Sequence, residues 1–443
     1  MNPHLRKSRV SKALTDAGLS SSFGEAEARL AAVTVCVHVS KEQSVTAAGQ
    51  AAALTAVVTA YKCFGRVSVV LDSDADLLRP LPIGKTLSAA LLRLGADIRD
   101  APSSEVTHHV HVGISAQRDV WSVECWWDRW LAGVRADEEE PLGDSRLALA
   151  GIFAAAIAIR QVFRSVRQAG ARPTDATVSL WEPWTQDRSA GLGPTTFTCP
   201  DALWLLGLGH LGQAYVWSLI FLPYSAPRRA ILQDDQKIGE ENEPTSLLVE
   251  AGDVGEKKVR VAARWLEACG WTTQIIERRH AGDIALTPDD PPILICGLDD
   301  VVPRKKMVAV GFDYMIDGGI GNGPTDFEGI QIRAIAKGSQ ANSWNDSAAP
   351  KSPTRTLLKA AYQALEQEIG GCGMYSLANA SVAVPFVGAA TGALAIAQAI
   401  RLSSMKSSRT LLQLELATPE MIIDSDEALA PPTFLGGELL ELI

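Results

Sequence analysis

Ala202-Leu-Trp-Leu-Leu-Gly207-Leu-Gly209-His-Leu-Gly212-Gln-Ala-Tyr-Val-Trp-Ser-Leu-Ile-Phe221 is the stretch from which the rest of this 443-residue sequence is read. The apolar run Ala202 to Leu206 predicts a buried strand, and Ala214 to Phe221 predicts a helix. Between them, three glycines permit a tight turn and bring backbone N–H groups close to a phosphate at the positive end of that helix. Asp234 follows Gly212 by 22 residues, at the end of the next predicted strand, Arg229-Ala-Ile-Leu232. A carboxylate there can accept hydrogen bonds from a ribose. Taken alone, the turn has a second reading as tight helix-on-strand packing; the carboxylate at this spacing favours a nucleotide.

Working outward, the first half alternates strands and helices. Val33 to Val39, Arg66 to Leu71 and Val106 to Val112 are predicted strands, and Leu87 to Leu94 and Leu147 to Phe163 have helical spacing. This alternation predicts a parallel sheet carrying helices. The pattern degrades over residues 169–200, a Pro-, Gly- and Thr-containing stretch expected to be a linker. The expected architecture is α/β, with one doubly wound unit over residues 1–168 and a second over 201–443. The two halves share an order of features that suggests duplication. Arg66 to Leu71 followed by Asp72-Ser-Asp74 parallels Arg229 to Leu232 followed by Asp234. The closing helix ending at Arg160 parallels the one ending at Arg401. Only the second half has the glycine turn, so nucleotide binding is expected there.

Composition excludes several classes. The net charge of −10 disfavours a phosphate backbone as partner, so no nucleic acid is expected. No apolar run reaches the roughly 18 to 20 residues of a membrane span, and residues 1–12 lack a secretory pattern, so a cytoplasmic chain without a membrane partner is expected. The seven cysteines are scattered without a Cys-x-x-Cys pair, which argues against a disulfide framework and against a structural zinc site. Most are expected to be buried, reduced thiols. Trp121, Trp126, Trp127 and Trp130 are expected to pack in a core or against a second domain, and Glu138-Glu-Glu140 to be a solvated loop.

After Asp234, the residues Gln236-Lys-Ile-Gly-Glu-Glu-Asn242, then Thr245, then Gly255-Glu-Lys-Lys258, and finally Asp299-Asp300 with Arg304, complete a pattern. It resembles the ThiF/MoeB/HesA-type adenylation domains of the ubiquitin-activating enzyme superfamily over roughly Trp204 to Ala336. The resemblance implies two ThiF-like Rossmann-type units, the first inactive and the second binding ATP and Mg2+. It implies Gly207, Gly209 and Gly212 at the phosphates and Asp234 on the ribose. It further implies Asn242 and Lys258 at the phosphates and Asp299 as the metal ligand. Without it, Asp299 and Asp300 read equally as caps of the following helix.

The implied activity is ATP-dependent adenylation of the C-terminal carboxylate of a ubiquitin-like protein. Cys372, in Gly370-Gly-Cys-Gly, resembles the cysteine that forms a thioester in some of these enzymes; a small buried hydrophobe is the other reading. A conjugating protein, a homodimer and a role in bacterial antiviral defence are extensions by analogy. Thr245 departs from the family, which has an arginine there: either the site is weakened or another cation substitutes, with Arg6 and Arg9 as candidates whose other reading is as solvated surface charges. Two other functions stay open, a catalytically weak nucleotide- or modifier-binding scaffold and an NAD-dependent oxidoreductase.

Overall fold

The computed structural model describes residues 8–114, 120–137, 139–321, 323–339, 360–425, 427–433 and 435–442. Seven strands form the first sheet: β1 (Val35–Val39), β2 (Val67–Leu71), β3 (Asp97–Arg99), β4 (His108–Val112), β5 (Ser122–Asp128), β6 (Leu131–Arg135) and β7 (Ala176–Ser179). Their order is β3-β2-β1-β4-β5-β6-β7, parallel through β5, with β6 and β7 added by antiparallel pairing. The second sheet contains β8 (Ala202–Leu206), β9 (Arg228–Gln233), β10 (Trp271–Ile276), β11 (Ile293–Cys296), β12 (Tyr314–Ile320), β13 (Gly329–Ala336), β14 (Leu411–Glu415) and β15 (Ile422–Asp424). Its order is β10-β9-β8-β11-β12-β13-β14-β15, again parallel for five strands and then antiparallel. The two sheets therefore repeat one topology with one extra strand, as duplication predicts. β7 lies inside the stretch read as a linker: Ala176–Ser179 closes the first sheet, so the first unit extends beyond residue 168.

The helices that follow β1 and β6 are α2 (Ala47–Phe64) and α3 (Ala148–Arg167); those that follow β8 and β13 include α4 (His210–Ile220) and α8 (Pro385–Ser403). A short helix α1 (Ser8–Thr15) precedes the first sheet, and α5 (Lys258–Ala268), α6 (Val301–Val308) and α7 (Ala360–Asn379) belong to the second half. Helices α2 and α3 pack on each other and, through α3, on α8, which packs on α4. The four helices thus form a double layer between the sheets, and one continuous apolar core runs through both units.

Two glycines set how closely these helices approach. A Cβ on Gly151 of α3 would stand 2.0 Å from the Ala48 carbonyl oxygen, and one on Gly392 of α8 would stand 2.5 Å from that of Ala214. They occupy matching places in the aligned closing helices. So do the arginines that end the match: Arg160 pairs with Glu328 of the second unit at 2.8 Å, and Arg401 reaches back to Glu182 at 3.0 Å. Both arginines are buried, so removing either carboxylate partner would leave an uncompensated charge, a change that costs about 3–5 kcal/mol. The indole of Trp217 donates to Thr55 at 2.9 Å, and Lys62 donates to the Val249 carbonyl at 2.7 Å.

Helices α3 and α8 correct the reading of apolar runs. Each is long and apolar enough to cross a membrane by length and composition alone. Their windows are 89% and 100% buried inside the protein, so interhelical packing accounts for their composition. Trp126, Trp127 and Trp130 are buried as expected, the Trp130 ring lying 4.9 Å from Trp181. Glu140 is no free loop charge, because Arg135 and Arg188 both pair with it. Cys36, Cys63, Cys125, Cys199, Cys269 and Cys296 are buried and unbridged.

Candidate functional site

Strands β8, β9 and β11 are neighbours in the sheet, so the segments leaving their C-terminal ends open into one cleft. Gly207, Gly209, Asp234, Asn242, Lys258 and Asp299 all line it, together with Arg9, His210, Arg278, Arg279 and Arg304. Gly212 stands directly behind the turn.

Each glycine of the turn has its own reason. Gly207 has φ 79°, a left-handed conformation that L side chains avoid, and a Cβ there would meet the Gly297 and Leu298 backbone at 2.9 Å. A Cβ on Gly212 would stand 2.1 Å from the Gly207 oxygen, so this glycine lets α4 seat against β8. Gly209 caps α4 with no side-chain hydrogen bond, and the place of its absent Cβ lies 3.8 Å from Nζ of Lys258. Loop amides, a helix N-terminus and an ammonium group therefore face the same small volume, an arrangement that suits a polyanion.

The polar side chains are held from the outside. Asp234 accepts from Leu208 N and Gln236 N, both at 2.7 Å, fixing its carboxylate beside the turn. Asn242 is buried in a short 3-10 turn, where its Oδ1 accepts from Gly239 N at 2.9 Å. Lys258 is the first residue of α5 and donates to Gln236 Oε1 at 2.6 Å. The two aspartates after β11 divide their roles. Both are exposed and line the cleft, but Asp300 also caps α6 by accepting from Val302 N at 2.9 Å. A hard divalent cation takes oxygen ligands, so Asp299 is the residue that would suit Mg2+ here.

Thr245 offers the cleft no charge. It is fully buried, and its hydroxyl donates to the Glu241 carbonyl at 3.0 Å. Arg9 instead reaches the cleft from α1, with its Nε donating to the Ser381 carbonyl at 3.1 Å. Burial disfavours its charge and lowers its pKa, while Glu241 and Asp299 favour the charge. α1 is held by Lys12, which donates to Tyr362 Oη at 2.7 Å and to the Leu377 carbonyl at 2.8 Å of α7. Arg6 lies outside the described residues.

Cys372 falls in α7, two residues after Gly370, whose φ of 70° and ψ of 166° break that helix. Its side chain lies outside the described residues. The backbone on either side of Gly370 is helical.

Sequence reasoning missed His210 and the pair Arg278-Arg279. His210 stands inside the glycine turn, and its Nδ1 lies 2.5 Å from the Thr245 carbonyl, which can only accept, so that nitrogen carries the proton. Burial pushes its pKa down to about 4, with Arg9 adding to the effect. The folded protein therefore holds this ring neutral between pH 4 and 6.5 while the unfolded chain takes up a proton. Stability contributed by the neutral ring is present above about pH 6.5 and falls as pH drops toward 4, by up to roughly 2–3 kcal/mol. Thermal unfolding followed from pH 7.5 to 4.5 should reveal this decline, and His210→Gln should make it shallower without abolishing it, because burial also lowers His38 and His108 to about 4. An unchanged slope in the variant would assign the acid lability elsewhere.

Comparison with known proteins places these features in context. Residues 34–180 match the BilD N-terminal domain family, and residues 199–406 match the BilD C-terminal domain family. A curated relative, the bacterial E1-like protein BilD of Collimonas sp. (strain OK412), is 33% identical over 422 residues, covering 90% of this chain and 88% of the relative. Among solved structures, E. coli MccB aligns over 54% of this chain and 66% of its own length, at 16% identity and a TM-score of 0.33. A complex of E. coli MccB with MccA aligns at 15% identity and a TM-score of 0.35, over 54% of this chain and 67% of that one.

Proposed function

Because this chain belongs to the BilD family of bacterial E1-like proteins, we propose that its second half uses Mg-ATP to adenylate the C-terminal carboxylate of a ubiquitin-like protein. The observation that carries this reading is the convergence of the turn amides, Lys258, Arg9 and Asp299 on one cleft. A carboxylate oxygen bonds to the α-phosphorus as the bond to the bridging oxygen breaks, and pyrophosphate leaves with that electron pair. Bound magnesium supplies neutralisation of charge on the phosphate oxygens. The protein's own groups position and stabilise. Asp234 accepts from the ribose, Asn242 and the Gly207–Gly212 turn hold the phosphates, Lys258 neutralises the departing group, and Asp299 holds the metal. Arg9 takes the role that Thr245 cannot.

Transfer to Cys372 as a thioester would follow, with AMP leaving and the thiol proton passing to solvent, before hand-over to a conjugating protein. A bacterial conjugation pathway in the cytoplasm, with a role in antiviral defence, is the setting we propose. Buried, uncharged Thr245 favours one rival, a scaffold that binds nucleotide without turnover. An NAD-dependent oxidoreductase would share the turn and Asp234 but give Lys258 and Asp299 no task.

Modifier-dependent ATP–pyrophosphate exchange separates these readings. Wild-type protein is expected to exchange, and Arg9→Ala and Asp299→Ala are each expected to lose at least about tenfold in rate. ATP binding without exchange would support the scaffold, and a melting shift with NAD but not with ATP would support the oxidoreductase. A reducible adduct with the modifier is expected to vanish in Cys372→Ala; an undiminished adduct would clear that thiol.

A further inference from the structure

The first sheet carries a cluster that the adenylation reading leaves unused. β1 and β4 run parallel in register, pairing Cys36 with His109 and His38 with His111. Val35, Val37, Val39, Val110 and Val112 are buried from the other side, so by strand alternation Cys36, His38, His109 and His111 share the face turned away from that valine layer. On this face His38 Nε2 lies 2.9 Å from His109 Nδ1, and the His111 ring stacks on His38 with centroids 4.6 Å apart. One donor atom from each of Cys36, His38 and His109 lies within 4.8 Å of the others. His111, 3% exposed, has no hydrogen-bond partner for either ring nitrogen among the described residues.

Burying polar nitrogens without partners is costly, so a stack of three imidazoles beside a thiol is an expensive way to cover a sheet. The donor atoms of Cys36, His38 and His109, by contrast, face one another closely enough to be shared by a cation. We propose that Cys36, His38 and His109 form a binding site for a zinc-class divalent cation on the outer face of the first sheet, the fourth position being left to water. Zinc bonds of about 2.3 Å to sulfur and about 2.0–2.1 Å to nitrogen set tetrahedral donor separations of roughly 3.3–3.6 Å. The cluster's range, from 2.9 Å to within 4.8 Å, brackets those separations, so side-chain rotation suffices to close the site. Two imidazoles and one thiolate are borderline-soft donors, unlike the oxygen donor Asp299, so the two cation sites select different metals. Binding displaces the Cys36 thiol proton to solvent. His38 and His109 are only half-buried, which gives the ion an approach. The site would fasten β1 to β4 at the centre of the unit that lacks a nucleotide turn.

The test is a titration of the full-length, chelator-stripped protein with Co2+, followed by displacement with Zn2+. One equivalent of Co2+ is expected to produce thiolate-to-cobalt charge-transfer absorption that Zn2+ abolishes and excess Mg-ATP leaves intact. Cys36→Ser should remove the band, while Cys125→Ser, a buried thiol on β5, should retain it. Should Cys36→Ser fail to fold, His38→Asn/His109→Asn alters only half-buried positions and is expected to weaken binding by on the order of tenfold or more. No band with folded wild-type protein, or a band unaffected by both the Cys36 and the histidine variants, would overturn the proposal. Because neither readout uses ATP or a modifier, failure here is distinguishable from failure of the adenylation reading.

Discussion

Lys258→Ala is expected to reduce pyrophosphate exchange by roughly 10²–10³-fold, about 2.7–4 kcal/mol of lost charge stabilisation, while leaving the protein folded. The size follows from where the ammonium sits. It is 3.8 Å from the place a Cβ would occupy on Gly209, and 7% exposed, so its field acts across little water. Its partner is the neutral amide of Gln236 rather than a carboxylate, so the charge remains available to an anion. Lys258→Arg should recover little, because guanidinium needs more space in a buried position. Steady-state exchange at saturating ATP measures the loss, with circular dichroism as the folding control. Exchange within threefold of wild type would remove Lys258 from the mechanism.

Gly392→Val should lower the melting temperature by roughly 2–12 °C. Its first side-chain atom would stand 2.5 Å from the Ala214 carbonyl oxygen and 2.8 Å from its carbon, inside van der Waals contact with backbone that cannot rotate away. Overpacking a rigid contact costs about 1–3 kcal/mol, and each kcal/mol moves the transition of a large domain by about 2–4 °C. Because α8 also contacts α3, the strain spreads across the layer joining both units. Gly252→Ala is the matched control, since a Cβ there meets nothing within 4 Å. A melting curve for Gly392→Val that overlays wild type would mean that the two helices can part at little cost.

The parts of the site that the sequence made legible are those lying where a strand ends. The glycine turn, Asp234 and Asp299 each follow a parallel strand at the same sheet edge, so local spacing carries their three-dimensional convergence. Lys258 and Asn242 are legible for a related reason, since the chain between β9 and α5 has to cross that edge. Arg9 is not legible in this way. Its position depends on α1 docking against α7 through Lys12 and Tyr362, contacts separated by some 350 residues of chain. The membrane criterion failed on α3 and α8 because helices buried between two sheets are as apolar as helices in lipid. The cysteine count likewise hid Cys36: spacing along the chain says nothing about His109 until β1 and β4 pair.

Cocrystals with a non-hydrolysable Mg-ATP analogue test the central claim most directly. Phosphate oxygens are expected within hydrogen-bond reach of Lys258 Nζ and the Gly207–Gly212 amides, with the ribose on Asp234 and the metal held by Asp299. Density for the nucleotide at another surface, with Lys258 still bound to Gln236 and the cleft filled only by water, would contradict it.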